Sequence, residues 1–240
     1  MTGAPHAAGN ADTGWSGTLL LKPGLLAFTG RIGAAAAHTH ACLQILVVTA
    51  GVVHVHDRHG DSSRIAPTAV IPAGTTHTIT ADPAAKGLIV YLDPASPGAR
   101  AAPNRIAGAG PSDRVATWTG VGIGGAGPDA PPLHLALRRA MDIGRHHADG
   151  PPDLVALAEA IGLSASRLGH LFHDQLGLPY PIWRRWTRLR HAIDHVRNGA
   201  TLTDAAHAVG FADSAHLTRT CRAMFGIAPT EALRATGWRT

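Results

Sequence analysis

Apolar and polar positions follow two rhythms along this chain. From 17 to 92, short apolar runs at 18–21, 25–28, 43–49, 52–56, 68–71 and 88–92 are separated by turn residues. The turns are Lys22-Pro23-Gly24, Ala50-Gly51, Arg58-His59-Gly60-Asp61 and Pro72-Ala73-Gly74. Such runs predict strands, and many short strands at this spacing predict a sandwich or barrel. Residues 1–14 are small and polar, a tail expected to fray. Residues 94–131 are rich in Gly, Ala and Pro and read as a connector, with one strand around 114–118. From 132 onward the apolar period is helical.

The helical region repeats itself. Leu154, Leu157, Ala158 and Ile161 keep the i, i+3, i+4, i+7 spacing, and Leu202, Ala205, Ala206 and Val209 keep it again 48 residues later. Each run ends at a glycine, Gly162 or Gly210, suited to a left-handed C-terminal turn. Leu163 or Phe211 follows, then Ser164 or Asp213, good N-caps for a second helix. Leu168, Leu171 and Phe172 turn inward in the first copy; Leu217, Cys221 and Met224 do so in the second. Both copies close alike, with Gly177-Leu178-Pro179 and Gly226-Ile227-Ala228-Pro229. Helix, glycine turn and helix make a helix-turn-helix; two matching copies are far more specific than one. Residues 180–197 between them read as one helix, roughly 27 Å long at 1.5 Å per residue. That could hold two recognition helices about one DNA turn apart, roughly 34 Å. A small helical bundle with another role is the alternative.

Charge agrees with a polyanionic partner. The 240 residues carry a formal net charge of +5. Residues 131–240 hold 13 Arg and 9 acidic residues, net +4, and residues 1–130 hold 8 basic and 7 acidic, net +1. A basic bias on the helical part is the electrostatic footprint of nucleic-acid binding. Hydrophobic residues make up 45% of the chain, enough for packed cores. Cys42 and Cys221 each fall in an apolar run and are expected to be buried free thiols in a reducing cytoplasm. No apolar run reaches about 18 residues, so no membrane span is expected, and 1–14 resembles no targeting signal. No nucleophile–base pair or Gly-rich phosphate loop is evident.

The stretch Gly210-Phe211-Ala212-Asp213-Ser214-Ala215-His216-Leu217-Thr218-Arg219, followed by Phe225-Gly226-Ile227-Ala228-Pro229, resembles the signature of the AraC/XylS family. Arg188 and Ala192 match its linker-helix positions. The likeness covers about 132–233 and implies a seven-helix domain that binds promoter DNA and recruits or blocks RNA polymerase. The DNA-facing residues it implies are Ser166, Arg167 and His170 in the first unit and Ser214, Ala215, Thr218 and Arg219 in the second. Arg219 matches an arginine of the signature. Two departures stand out. Leu217 and Cys221 occupy positions usually held by phenylalanine, so the second core is expected to be looser. Gly169, expected on the outward face of the first recognition helix, offers no side chain to a base, so first-unit readout is expected to be weaker.

Upstream, His38, His40 and Gln44 share parity on an extended segment, so their side chains leave one face. Gly51 follows, then Pro72-Ala73-Gly74-Thr75-Thr76-His77. This resembles the two cupin motifs, whose metal-binding members use three histidines and a glutamate. Gln44 stands in place of the glutamate. His38, His40, Gln44 and His77 are thus a candidate site for one divalent transition metal; imidazoles suit Zn, Ni, Fe or Cu. The competing reading is a pocket without metal that takes a small organic effector. His54 and His56 on a strand, His59 in a turn and His146-His147 at a helix end read as solvated.

The expectation is an α+β chain of two domains. A tail (1–14) precedes a cupin-like β-barrel (jelly roll) sensor domain (15–93), a connector (94–131), and an all-α domain with two helix-turn-helix units and a linker helix (132–240). The expected function is a cytoplasmic DNA-binding transcription regulator that senses a small molecule or metal. One alternative is a metal-dependent cupin enzyme with a DNA-binding tail; another is a β-domain that serves only dimerisation. Gly120, Gly122, Gly124, Gly125 and Gly127 leave the connector little helical pattern, which argues against helix-mediated dimerisation.

Overall fold

Turn chemistry folds the N-terminal part into hairpins. In the computed structural model, which describes residues 14–107, 112–119, 131–147 and 149–237, Pro23-Gly24 closes β1 (Ser16–Lys22) onto β2 (Leu25–Arg31), with Lys22 opposite Leu25. Seven more strands follow: β3 (Ala35–Thr39), β4 (Leu43–Ala50), β5 (Val53–Asp57), β6 (Ser62–Arg64), β7 (Thr68–Ile71), β8 (Thr76–Ala81) and β9 (Lys86–Leu92). They form two antiparallel sheets, ordered β1-β2-β9-β4-β7 and β3-β8-β5-β6. The expected closed barrel is therefore not what forms: among the described residues no ladder joins the edge strands β1 and β7 of one sheet to β3 and β6 of the other. Alternation along β5 and β9 buries Val53, Val55, Ile89 and Tyr91, which join Leu46, Ile71 and Ile79 in one apolar cluster drawn from both sheets.

Two expectations for the connector are corrected. Residues Pro97–Ala107 form a helix, α1. Ser96 Oγ accepts the Ala99 N–H (3.3 Å) with Pro97 at the first helical position, a start signal that composition masked. Ala99 and Ala102 are small enough to bury against Leu43 and Val70. The segment around 114–118 is a 3-10 turn (Val115–Thr117), not a strand. Thr117 Oγ1 donates to the Arg114 carbonyl (2.7 Å), and the Asp57 carboxylate accepts the Val115 N–H (3.0 Å), which curls the chain. At the end of the turn the Trp118 carbonyl accepts the Val70 N–H of β7 (2.8 Å) and Thr119 bridges to Ala69. The glycines at 120–127 and the tail at 1–13 lie outside the described residues.

Seven helices follow among the described residues: α2 (Leu135–His146), α3 (Leu154–Glu159), α4 (Ala165–Leu176), α5 (Tyr180–Arg197), α6 (Leu202–Ala208), α7 (Ser214–Phe225) and α8 (Pro229–Thr236). The caps repeat with the sequence. Asp153 and Thr201 cap the first helix of each unit, Ser164 and Asp213 the second. Gly162 and Gly210 both take left-handed φ, +71° and +77°.

The two units are buried differently. Leu137, Met141, Leu157, Leu168, Phe172 and Trp183 give α2, α3, α4 and the start of α5 a core of their own. The rest of α5, with α6 and α7, shares the cluster of the sheets: Trp186, Leu189, Phe211, Met224 and Phe225 lie in one cluster with Leu26, Leu46 and Ile89. The change to helical period at 132 is a change of secondary structure; the core runs across it. A polar latch adds to this junction. Asp93, buried at the end of β9, pairs with Arg145 of α2 (3.2 Å) and Arg190 of α5 (3.4 Å). Arg190 also donates to the Lys22 carbonyl (2.6 Å).

Candidate functional site

The second helix of each unit is held by its cap and its buried stripe, which fixes what it shows to solvent. In α4, the Ser164 Oγ accepts the Arg167 N–H (3.2 Å), and Leu168, Leu171, Phe172 and Leu176 face inward. Ser166, Arg167 and His170 are exposed, as expected. Gly169 is half-buried, with Leu154 of α3 at 3.6 Å from where a Cβ would stand, so it faces α3 rather than lying fully outward. In α7, Asp213 Oδ1 accepts the His216 N–H (2.6 Å), and Leu217, Thr220, Cys221, Met224 and Phe225 are buried. Ala215 and Arg219 are exposed; Ser214 and Thr218 are half-buried beside them. Sequence reasoning missed Arg222, which is exposed three residues after Arg219 and shares its face. Leu217 and Cys221 border an apolar cavity of about 110 Å³, lined also by Leu26, Phe28, Ile89 and Leu189, where larger side chains would close the gap between α7, α5 and the sheet.

The fold brings His38 (β3), His40 (just after β3), Gln44 (β4) and His77 (β8) together. β3 and β8 pair with His38 opposite His77, while β4 carries Gln44 on the other sheet, so the group bridges the two sheets. All four are at most 2% exposed. One ligand atom from each histidine lies within 4.8 Å of the others. His38 Nδ1 donates to the Ala36 carbonyl (2.8 Å), His40 Nδ1 to the Cys42 carbonyl (2.7 Å) and His77 Nδ1 to the Thr75 carbonyl (3.1 Å). A carbonyl only accepts, so each ring carries its proton on Nδ1 and keeps a lone pair at Nε2. Backbone carbonyls fix metal-ligating histidines in the same way.

Burial without an anion favours the neutral rings. Desolvation pushes His38 and His40 down to about 4 and His77 well below the ordinary 6.5, each against an opposing backbone hydrogen bond. Gln44 Oε1 stands 2.8 Å from His40 Nε2 and 2.9 Å from His77 Nε2. With both nitrogens unprotonated, that contact is satisfied if the amide turns its NH2 toward the rings, or if a cation stands among the lone pairs. His38 Nε2 is buried without a hydrogen-bond partner, a debt that ligation would discharge; Gln44 Nε2, a donor that cannot ligate, is buried without one as well. The donor set fits a borderline transition metal better than Mg²⁺ or Ca²⁺, which prefer all-oxygen shells. His54 and His56 stack on β5 with ring centroids 6.4 Å apart and half-buried side chains, and His59 pairs with Asp113 (2.9 Å).

Comparisons with known proteins agree with the helical geometry. The family model of a helix-turn-helix domain matches residues 157–235. The arabinose operon regulatory protein of Escherichia coli (strain K12) is 32% identical over 105 residues, 42% of this chain and 35% of that protein. Its counterpart in Salmonella typhimurium is also 32% identical over 105 residues, covering 37% of its length. The chain thus spans about a third of the length of these curated relatives. The crystal structure of ToxT from Vibrio cholerae O395 is similar over 90% of this chain and 99% of its own, with a TM-score of 0.54 and 10% identity. That is a likeness of fold, and it takes in sheets and helices together. No helix among the described residues is long and apolar enough to cross a membrane. Residues 157–235 of this chain therefore form a helix-turn-helix domain, in a chain similar to the regulatory proteins of the arabinose operon.

Proposed function

We propose that the chain regulates transcription by binding promoter DNA through α4 and α7, and that its sheet domain, cupin-like in its histidine motifs, senses a divalent transition metal. RNA polymerase is the partner this function implies. The observation that carries the sensing part is the convergence of three buried neutral imidazoles, each locked with Nε2 free, beside an amide oxygen. His38, His40 and His77 would hold the ion and Gln44 would complete the set. The ion would supply a positive charge that ties the two sheets together. Catalytic sites keep an open coordination position; four side chains at most 2% exposed give a substrate no entry, which favours sensing over turnover.

The 240-residue chain is expected to take up about one Zn²⁺ or Ni²⁺, and His38→Ala, His40→Ala or His77→Ala to abolish uptake. No uptake on titration sinks the metal reading and leaves an organic effector. One observation favours that second reading: the apolar cavity bordered by Leu217 and Cys221. Structures of ToxT carry an unsaturated fatty acid or a naphthalenyl-butenoic acid. A shift in melting temperature with an apolar acid but not with metals is the result that would select it.

A further inference from the structure

The histidine cluster stands directly behind one of the two DNA-reading helices. α7 ends at Phe225, and Gly226 follows in a left-handed conformation (φ +70°). The Gly226 carbonyl accepts the Ala36 N–H of β3 (3.1 Å). The Ala36 carbonyl in turn accepts the His38 Nδ1–H (2.8 Å). One residue therefore joins an imidazole of the cluster to the end of the recognition helix. A second route runs through Tyr91, whose ring meets His40 edge-on (5.6 Å) and Phe225 edge-on (5.1 Å). The approach is close: a Cβ at 226 would stand 2.5 Å from the Ala36 oxygen and 2.8 Å from His38 Nδ1. α4 belongs to the other apolar cluster, and among the described residues no backbone hydrogen bond joins it to the sheets.

We infer that the histidine site and α7 move as one unit, so that metal at the site controls binding of the second helix-turn-helix to its DNA half-site and leaves the first half-site unaffected. This rests on the metal reading above. Imidazole nitrogens lie about 2.0–2.1 Å from a zinc ion, so no two ligands of one ion can be more than about 4.2 Å apart. The ligand atoms lie within 4.8 Å of one another, and a bound ion would hold them to that tighter limit. His38 cannot shift without moving Ala36 or losing its bond, and Ala36 is tied to Gly226. Close-packed interiors pass such displacements on rather than absorb them.

The test uses the full chain, a selected two-half DNA site, and two derivatives with one half scrambled. Arg219→Ala identifies the half that α7 reads. Calorimetry with Zn²⁺ alone measures uptake; anisotropy measures DNA affinity with and without Zn²⁺. Affinity for the α7 half is expected to change at least about fivefold, within the usual range of coupling between sites, and the other half less than about twofold. Uptake with no change, or with equal change at both halves, overturns the inference while the metal site stands. No uptake overturns both. Gly226→Ala, which forces α7 off β3, should erase the metal dependence. Full metal dependence in that variant also overturns the inference, and if the variant does not fold, the wild-type half-site comparison decides.

Discussion

Two glycines provide a matched pair for testing whether the second unit is docked on the sheet. Gly177 and Gly226 each follow a recognition helix, with φ of +69° and +70°. Alanine at either position meets the left-handed penalty, roughly 1–2 kcal/mol, partly offset by about 0.4–1 kcal/mol from a stiffer unfolded chain. The net expectation for Gly177→Ala is a loss of about 1 kcal/mol, because nothing lies within 4 Å of the added carbon. At 226 the added carbon meets the Ala36 oxygen at 2.5 Å, His38 Nδ1 at 2.8 Å and Ala35 Cβ at 2.9 Å. Two of these belong to the backbone or lie close to it, so no flexible side-chain end can swing away. Relief requires α7 and β3 to part, which forfeits the Ala36–Gly226 bond, about 1 kcal/mol, and adds overpacking strain of about 1–3 kcal/mol. Gly226→Ala should therefore cost about 2–4 kcal/mol more than Gly177→Ala. Urea unfolding of the full chain, followed by tryptophan fluorescence and circular dichroism, measures both. Equal losses in the two variants would show that α7 does not rest on β3 in solution.

Three further outcomes are expected. Gln44→Glu restores an anion beside the three imidazoles, so metal affinity should rise at least about tenfold; unchanged affinity removes residue 44 from the ligand set. In metal-free protein, His38 and His40 at about 4 bind protons in the unfolded chain that the fold refuses. Stability present above the unfolded value of 6.5 is lost as pH falls toward 4, by roughly 4 kcal/mol for the two at pH 5, and a flat urea midpoint between pH 7 and 5 contradicts the burial argument. Asp93→Ala strands the largely buried Arg190 and releases Arg145. Because Arg145 is partly exposed, a loss of about 2–3 kcal/mol is expected rather than the full cost of breaking a buried pair; thermal unfolding within a degree of the parent means that the latch is dispensable.

The twin units were legible because they are local. A glycine, a cap and an apolar stripe recur at fixed offsets, and the structure puts Leu168, Leu171, Phe172, Leu217, Cys221 and Met224 inside as their spacing demands. His38, His40 and Gln44 do not leave one face of one extended segment as their parity implied: the chain bends at Ala41-Cys42 and Gln44 lies on the other sheet, so the group meets between the sheets, with His77 brought in by the pairing of β3 and β8. What the sequence did not disclose was long-range. Met224 and Phe225 have the same apolar character whether they close on their own helices or on a sheet, so the docking of α7 on β3 left no local mark. Helix α1 was hidden because its alanines sit among prolines and glycines, although Ser96-Pro97 carried the start signal. The turn at Val115–Thr117 looked like a strand because Val115 and Trp118 are β-formers; Asp57, far away in sequence, decides the matter.

The claim that two units read DNA side by side is tested most directly by selecting binding sites from random duplexes with the full chain. The account predicts a bipartite motif with half-sites about one turn, 10–10.5 bp, apart. It also predicts that Arg219→Ala flattens one half and leaves the other intact, since Arg219 is exposed on α7 alone. No enriched sequence, or a motif with one half only, would contradict it.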